Sequence, residues 1–261
     1  MSKLQALIFD VDGTLAETER DGHRIAFNQA FADAGLDWNW DVPTYGRLLA
    51  ITGGKERLLH YWLSIDAEAA ARPDAAGQLA EWHRRKTAHY VRLVADGGIA
   101  LRPGVARLLH EARDAGLRLA IATTTTPDNV EALLHATLGA SGMAMFECIG
   151  AGDAVPRKKP DPGIYTWVLE RMNLRPEQCV AFEDSTNGLR AALGAGLQTV
   201  VTTGTYTADE TFCGALARLD GLGEPQAPAH GHVGQQVWSG CVDLNTLRTW
   251  ARLAPARVPQ A

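Results

Sequence analysis

The sequence predicts an α/β protein with a doubly wound parallel sheet and an inserted all-helical unit. An apolar run at residues 4–10 is typical of a buried parallel strand. From Leu101 onward, short apolar runs alternate with helical patterns, as in a parallel sheet covered by helices. Between them, residues 16–96 show helical spacing and no strand-like run. We therefore predict a core of residues 1–15 and 97–261 with a helical cap of residues 16–96.

The individual elements follow from apolar spacing and from the residues that end helices. The predicted strands after the first are 117–122, 146–150, 179–182 and, as the final strand, 198–202. The predicted cap helices are 23–35, 44–50, 55–63 and 75–95. Core helices are predicted from Pro103 to Gly116, at 128–138, from 161 to about 172, and from Ser185 to 195.

The carboxy-terminal region is less regular. Residues 224–236 are rich in Gly, Pro, His and Ala, which predicts a surface loop, and 243–253 predict a short terminal helix. His230 and His232 lie in the predicted loop, where we expect solvated side chains rather than metal ligands.

Composition excludes several classes of protein. The chain has 261 residues and a formal net charge of −5, which argues against a basic nucleic-acid surface. The four cysteines contain no Cys-x-x-Cys pair, so neither a zinc site nor a redox pair is indicated. Because Asp10 and Asp12 interrupt the first apolar stretch, we do not expect that stretch to be a signal peptide. No apolar run reaches membrane-spanning length. We expect a cytoplasmic monomer.

Two carboxylates follow the first predicted strand, in Asp10-Val-Asp12-Gly13-Thr14. Parallel strands present their ligand sites at their carboxyl ends. Like charges at close range raise each other's pKa, and a Mg²⁺ ion relieves that cost because it prefers carboxylate oxygens. One aspartate can then attack as a nucleophile while the other exchanges protons. Taken alone, the pair is equally compatible with two exposed turn residues.

Three further polar groups lie beyond the first strand. The second strand leads to Thr123 and Thr124, a loop carries Lys159 after Lys158, and another strand leads to the Glu183-Asp184 pair. Because the carboxyl ends of parallel strands meet at one edge, these groups are predicted to be neighbours. Their chemistry suits phosphoryl transfer: a nucleophile, a neutral donor to phosphate oxygen, a cation and further metal ligands.

These four motifs, in this order, resemble the haloacid dehalogenase superfamily of phosphohydrolases, in the subgroup with a helical cap after the first strand. The resemblance implies a Rossmann-like core and catalysis by Asp10, Asp12, Thr123 and Lys159. Asp10 would form an aspartyl phosphate, and Asp12 would protonate the leaving oxygen and then deprotonate water. It also implies a Mg²⁺ site formed by Asp10, the backbone carbonyl of Asp12, and Asp184. Glu183 would contact the ion directly, act through water, or form a hydrogen bond with a neighbouring backbone group.

The cap is expected to select the substrate. Residues 52–57, Thr-Gly-Gly-Lys-Glu-Arg, place Lys55 and Arg57 beside the paired glycines Gly53 and Gly54, whose amides can approach an anion. An ordinary helix start explains the same residues. Lys86 and Thr124 are further candidates for binding phosphate. Glu17 is a candidate for sugar hydroxyls or, alternatively, a charged hinge residue.

The matching segments of cap and tail are similar to the CbbY branch, phosphatases of xylulose 1,5-bisphosphate associated with carbon fixation. The segments are 16–19, 52–57, 86–87 and 240–244. This resemblance implies a sugar bisphosphate as substrate and no nucleic-acid or membrane partner. The alternatives are a phosphosugar mutase of the β-phosphoglucomutase type, against which Thr14 argues, and a non-catalytic sugar-phosphate-binding protein. The roles of His23 and Asn129 are left open.

Overall fold

The structure is a computed structural model, and it describes residues 4–252. Residues 1–3 and 253–261 of the predicted core, including Leu253 as the predicted end of the last helix, lie outside the described residues. The chain forms one mixed eight-stranded sheet with the strand order β3-β2-β1-β4-β5-β6-β7-β8. The strands are β1 Ala6–Phe9, β2 Arg118–Ala122, β3 Cys148–Gly150, β4 Cys179–Glu183, β5 Gln198–Thr202, β6 Ala217–Leu219, β7 Ala229–Val233 and β8 Gln236–Gly240.

The first six strands are parallel, as expected for a doubly wound sheet. The register places Phe9 of β1 opposite Ile121 of β2 and opposite Phe182 of β4. The rings of Phe9 and Phe182 stack with centroids 4.5 Å apart. The ends of three neighbouring strands are therefore level with one another, and the residues that follow them share one edge of the sheet.

Two predictions for the carboxy-terminal region are wrong. β5 is not the final strand, because β6 continues the sheet in parallel and the hairpin of β7 and β8 extends it antiparallel. The predicted loop 224–236 contains all of β7. Gly231 sits over the carbonyl of Arg218, where a Cβ atom would lie 2.0 Å from the oxygen. Glycine, which is unusual within a strand, is thus required here by the close approach of β6.

The interval between β1 and β2 contains several helices and no strand. A π-helical turn at Glu19–His23 runs into the first α-helix. The α-helices before β2 are α1 Arg24–Asp33, α2 Val42–Leu48, α3 Gly54–Ile65, α4 Ala67–Ala70, α5 Ala75–Ala95 and α6 Val105–Asp114. The later ones are α7 Pro127–Leu138, α8 Gly163–Met172, α9 Thr186–Gly194 and α10 Leu244–Trp250.

The inserted helices α1–α5 have an apolar core of their own, built largely from aromatic side chains. Its fully buried rings include Phe27, Phe31, Trp40 and Tyr45. The sheet is covered by separate apolar clusters on its two faces. An all-helical cap thus follows the first strand, while its boundaries at residues 16 and 96 remain a prediction.

Side-chain hydrogen bonds cap the first turns of two helices. Ser185 caps α9 by accepting a hydrogen bond from the Gly188 amide at 3.2 Å, as predicted, and Asp243 caps α10 through the Thr246 amide at 2.7 Å. Within residues 4–252, no helix has the length and apolar character needed to cross a membrane.

Candidate active site

The first functional group lies at the end of β1. The Asp10 amide donates to the Phe182 carbonyl at 3.0 Å, which fixes Asp10 beside the end of β4. Carboxylate oxygens of Asp10, Glu183 and Asp184 all lie within 4.8 Å of one another, and the three residues are buried. The structure thus brings together the carboxylates that the sequence placed at two separate strand ends.

Lys159 joins this acidic group. Its ammonium nitrogen lies 2.7 Å from Asp10 Oδ1 and 2.6 Å from Glu183 Oε1. The hydroxyl of Tyr165 also donates to Glu183 Oε1. Lys158, by contrast, turns away and pairs with Asp153 at 2.7 Å. Of the two consecutive lysines, Lys159 is the one at the site, as the motif predicts.

The buried carboxylates are difficult to ionise together. Burial raises the pKa of Asp10 to about 7, with Glu183 and Asp12 adding repulsion and Lys159 opposing the rise. Burial also raises the pKa of Asp184 well above its ordinary value, reinforced by the charges of Asp10 and Glu183. Lys159 has a raised pKa despite its burial, because both neighbouring carboxylates favour its charged form.

The donor set fits a hard divalent cation. Three carboxylates converge, and such oxygens are the ligands that Mg²⁺ prefers. The Glu183 Oε2 atom is buried without a hydrogen-bond partner among residues 4–252. Close glycines leave room for the acids: a Cβ at Gly13 would lie 2.1 Å from Asp184 Oδ2, and one at Gly188 would lie 1.9 Å from Glu183 Oε2. An excess of buried negative charge with an orphaned oxygen suits a cation site.

Asp12 has a different environment from Asp10. Its Oδ1 atom accepts hydrogen bonds from Thr18 Oγ1 at 2.5 Å and from His23 Nε2 at 2.8 Å. Lys86 Nζ lies 2.9 Å from the other ring nitrogen of His23, so the ring accepts at Nδ1 and donates at Nε2. Burial alone would raise the pKa of Asp12, but His23, Thr18 and Lys86 lower it to about 2.

The carboxylate of Asp12 therefore lies outside the converging acidic group. The proton exchange by Asp12 and the metal contact of its backbone carbonyl stay predictions. His23, whose role the sequence left open, is the residue that links Asp12 to Lys86.

The threonine run follows β2. Thr123 is buried, and its amide donates to the Gly150 carbonyl at 2.9 Å while its hydroxyl accepts from the Thr125 amide at 3.3 Å. Asn129 is buried and donates to the Thr125 hydroxyl at 2.9 Å, which indicates that it supports this turn. Thr123 and Thr124 both line the cavity in front of Asp10.

That cavity has a volume of about 430 Å³ and lies between the cap and the carboxyl ends of the strands. Core residues form its floor, and residues of the cap and of the linking segment form its walls. Its lining includes Asp10, Asp12, Glu17, Arg57, Thr123, Thr124, Lys159 and Asp184. Most residues proposed from the sequence thus face a single space.

The remaining predicted cap residues line a smaller adjoining cavity of about 50 Å³. They are Gly53, Gly54, Lys55 and Lys86, and Arg57 and Thr124 line both spaces. Lys55 is half-exposed and pairs with Asp153 of the core at 2.8 Å. Lys86 is buried, with its ammonium over the rings of Phe27 and Tyr90.

Arg57 is, with Lys86, one of two buried cations of the cap that line these cavities. Its Nε donates to the Leu48 carbonyl at 3.2 Å and one terminal nitrogen donates to the Tyr45 hydroxyl at 2.9 Å. The Tyr45 hydroxyl in turn donates to Glu19 at 2.5 Å, and Glu19 lies 3.9 Å from Arg57. These contacts fix the guanidinium at the cap wall of the cavity.

Sequence reasoning missed several residues that support the site. Thr18 holds Asp12, Tyr165 holds Glu183, and Arg102 donates to the Gly13 carbonyl. Thr18 lies in the segment 16–19 that resembles the CbbY branch, which was a usable signal. Tyr165 lies within α8 and Arg102 lies just before α6, and nothing in the local sequence distinguishes either residue.

The fold and site define a class of protein. The chain belongs to the haloacid dehalogenase-like hydrolase family, which matches residues 4–196. It is 52% identical over 249 residues to the plasmid-encoded protein CbbY of Cupriavidus necator, covering 95% of this chain and 96% of that protein. Protein CbbY of Cereibacter sphaeroides is 50% identical over 221 residues, covering 85% and 94% of the two chains.

A solved structure is also similar. A mutant CbbY from Rhodobacter sphaeroides, crystallised in complex with xylulose 1,5-bisphosphate, superposes with a TM-score of 0.77 at 50% identity, covering 84% of this chain and 94% of that one. The chain is a phosphatase of this family, similar to the CbbY proteins.

Proposed function

We propose that the protein is a Mg²⁺-dependent sugar-phosphate phosphatase that acts through an aspartyl phosphate, with a pentulose bisphosphate such as xylulose 1,5-bisphosphate as its substrate. One observation carries the proposal: a single cavity of about 430 Å³ connects the Asp10 carboxylate with the buried Arg57 guanidinium. A compact molecule with a phosphate at each end matches this arrangement of a reactive acid and a distant cation.

Asp10, Glu183, Asp184 and the backbone carbonyl of Asp12 are the proposed ligands of the Mg²⁺ ion. When bound, the ion supplies positive charge that keeps the Asp10 carboxylate ionised and offsets the charge of the phosphoryl oxygens. Lys159 adds a second positive charge next to Asp10, and Thr123 offers a neutral donor to a phosphoryl oxygen.

In the first step, Asp10 attacks the phosphorus atom, the phosphorus–oxygen bond to the sugar breaks, and Asp12 gives its proton to the leaving oxygen. In the second step, Asp12 takes a proton from water, and the resulting hydroxide releases inorganic phosphate from Asp10. In the free site the hydrogen bonds from Thr18 and His23 hold Asp12 in its deprotonated form, which is the form that accepts a proton from water in the second step. The first step requires the same carboxyl group to be protonated when the substrate is bound.

The second phosphate of the substrate is assigned to the cap. Arg57 is its main ligand, with Lys86, Lys55 and the amides of Gly53 and Gly54 from the adjoining cavity, and with Thr124 between the two spaces. Glu17 is assigned to the sugar hydroxyls. The complex of a CbbY protein with xylulose 1,5-bisphosphate supports this choice of substrate.

A phosphate-release screen tests the proposal. It compares xylulose 1,5-bisphosphate with hexose monophosphates, phosphoglycolate and nucleotides, each with Mg²⁺ or with a chelator. We expect the bisphosphate to give the highest kcat/KM and the chelator to abolish release. A mutase would instead give an isomeric sugar phosphate with little inorganic phosphate. Preference for monophosphates would refute the assignment of the cap residues.

The variant Arg57→Gln tests whether Arg57 binds the second phosphate. We expect kcat/KM for the bisphosphate to fall about tenfold to a hundredfold, the usual cost of a lost hydrogen bond to a charged group, with monophosphates little affected. Arg84→Gln is the matched control, because Arg84 is exposed on the same cap and pairs with Glu81. Equal losses on both substrate classes would contradict a role for Arg57 at the second phosphate.

A further inference from the structure

Arg102 is a buried arginine that donates hydrogen bonds to four backbone carbonyls in three segments of the chain. It lies just before α6 and is 8% exposed. Its guanidinium donates to the carbonyl oxygens of Gly13, Thr202, Thr203 and Asp220, with distances of 2.9, 2.7 and 3.1 Å to the last three. The carbonyls come from the loop after β1 and from the ends of β5 and β6. One planar side chain thus links the catalytic loop to two further strand ends.

The charged partner of Arg102 is Glu17. The Arg102 Nε atom lies 3.6 Å from Glu17 Oε1. The same oxygen lies against Gly204, where a Cβ atom would be 2.6 Å from Oε1. The Glu17 side chain is 35% exposed and lines the large cavity. The Oε1 atom of Glu17 thus contacts a guanidinium and a glycine that has no side chain, in a residue that also lines the cavity.

Arg102 does not reach the substrate space itself. It is not one of the residues of 4–252 that line the cavity, and both of its terminal nitrogens are engaged by carbonyl oxygens. Any effect on substrate must therefore pass through a residue it holds. Lysine preserves the charge, but a single ammonium group cannot reproduce the planar fork that spans these carbonyls and faces Glu17.

We propose that Arg102 and Gly204 are positioning residues that hold the Glu17 carboxylate in the orientation that accepts hydrogen bonds from the hydroxyl groups of a sugar phosphate. This inference rests on the proposed sugar phosphatase activity. It assigns substrate selectivity to two core residues that both contact the Oε1 atom of a glutamate in the segment that leads into the cap.

The test compares two substrates. One is the sugar phosphate that the wild-type enzyme hydrolyses fastest, and the other is p-nitrophenyl phosphate, an ester without sugar hydroxyls. For Arg102→Lys we expect kcat/KM on the sugar phosphate to fall about tenfold or more, mainly through KM, as for loss of a hydrogen bond to a charged group. The value for p-nitrophenyl phosphate is expected to change less than about threefold. Glu17→Gln should show the same selective loss, and the double variant should be no worse than either single one.

Arg107→Lys is the matched control. Arg107 lies on α6 and also donates to backbone carbonyls, those of Leu222, Gly223 and Val242, but it does not contact Glu17. Its replacement is expected to leave the ratio of the two kcat/KM values unchanged. If Arg102→Lys lowers both values equally, or if its effect adds fully to that of Glu17→Gln, Arg102 has only a structural role and the proposal is overturned.

Gly204→Ala gives an independent route should Arg102→Lys fold poorly. The added methyl group displaces the Glu17 carboxylate while the hydrogen bonds of Arg102 remain. We expect the same selective rise in KM for the sugar phosphate, and an unchanged KM would overturn the proposal. A wild-type enzyme that hydrolyses p-nitrophenyl phosphate but no sugar phosphate would overturn the proposed function and this inference together.

Discussion

Lys159→Met tests how strongly the acidic site depends on its ammonium group. The Lys159 nitrogen lies 2.7 and 2.6 Å from the carboxylates of Asp10 and Glu183, and all three residues are buried. Removing one partner of a buried ion pair costs about 3–5 kcal/mol, because the other charge is left uncompensated. At about 2–4 °C per kcal/mol for a chain of this size, Tm should fall by about 6–20 °C.

The assay is thermal unfolding followed by circular dichroism in a chelator, with phosphate release measured separately, in the presence of Mg²⁺, on portions of the same preparations. Lys158→Met is the control, because the partner of Lys158 is Asp153, whose side chain is 68% exposed. Such a pair contributes below about 1 kcal/mol. We expect Lys159→Met to lose both stability and turnover. Equal falls in Tm for the two variants would refute the assigned role of Lys159.

Three further predictions follow from the site and the cap. Asp10→Asn should reduce phosphate release to background while the protein stays folded, and measurable release from a clean preparation would rule out Asp10 as the nucleophile. Burial lowers the pKa of Lys86 from 10.5 to about 8. Below pH 8 the buried charge therefore destabilises the folded state, and between pH 8 and 10.5 the folded protein has released this proton while the unfolded chain still binds it. Relative to Lys86→Met, the wild type should therefore gain up to about 3 kcal/mol in urea unfolding as pH rises from 8 to 10.5, and a constant difference would contradict this account. Gly188→Ala should weaken Mg²⁺ binding, measured calorimetrically, because its methyl group would lie 1.9 Å from Glu183 Oε2, whereas Gly77→Ala, with no described atom within 4 Å, should bind as the wild type does.

The parts of the site that could be predicted are those that local sequence specifies. Asp10, Thr123 and Asp184 each follow or end an apolar run, and β2, β1 and β4 are neighbours in the sheet. Helix α5 has the predicted bounds because its apolar positions repeat at helical spacing over 21 residues. A continuous apolar run is sufficient to predict a strand that is buried on both faces, and helical spacing is sufficient to predict a long helix.

The contacts that were missed join distant parts of the chain. Arg102 and Thr202 are 100 residues apart, and Tyr165 is 18 residues from Glu183. The strand β7 contains a glycine between two exposed histidines, so it has no apolar run, and its extended form depends on pairing with β6 and β8. Such features depend on tertiary packing rather than on local propensity.

The carboxy-terminal helix has a consequence for how the chain folds. Leu244, Leu247 and Trp250 of α10 are buried in the same apolar cluster as Leu4 and Leu7 at the start of the chain. This cluster on one face of the sheet closes only when segments about 240 residues apart meet, and contacts of such long range form slowly. During synthesis, that face of the sheet therefore becomes complete only after α10 has been made and has packed against it.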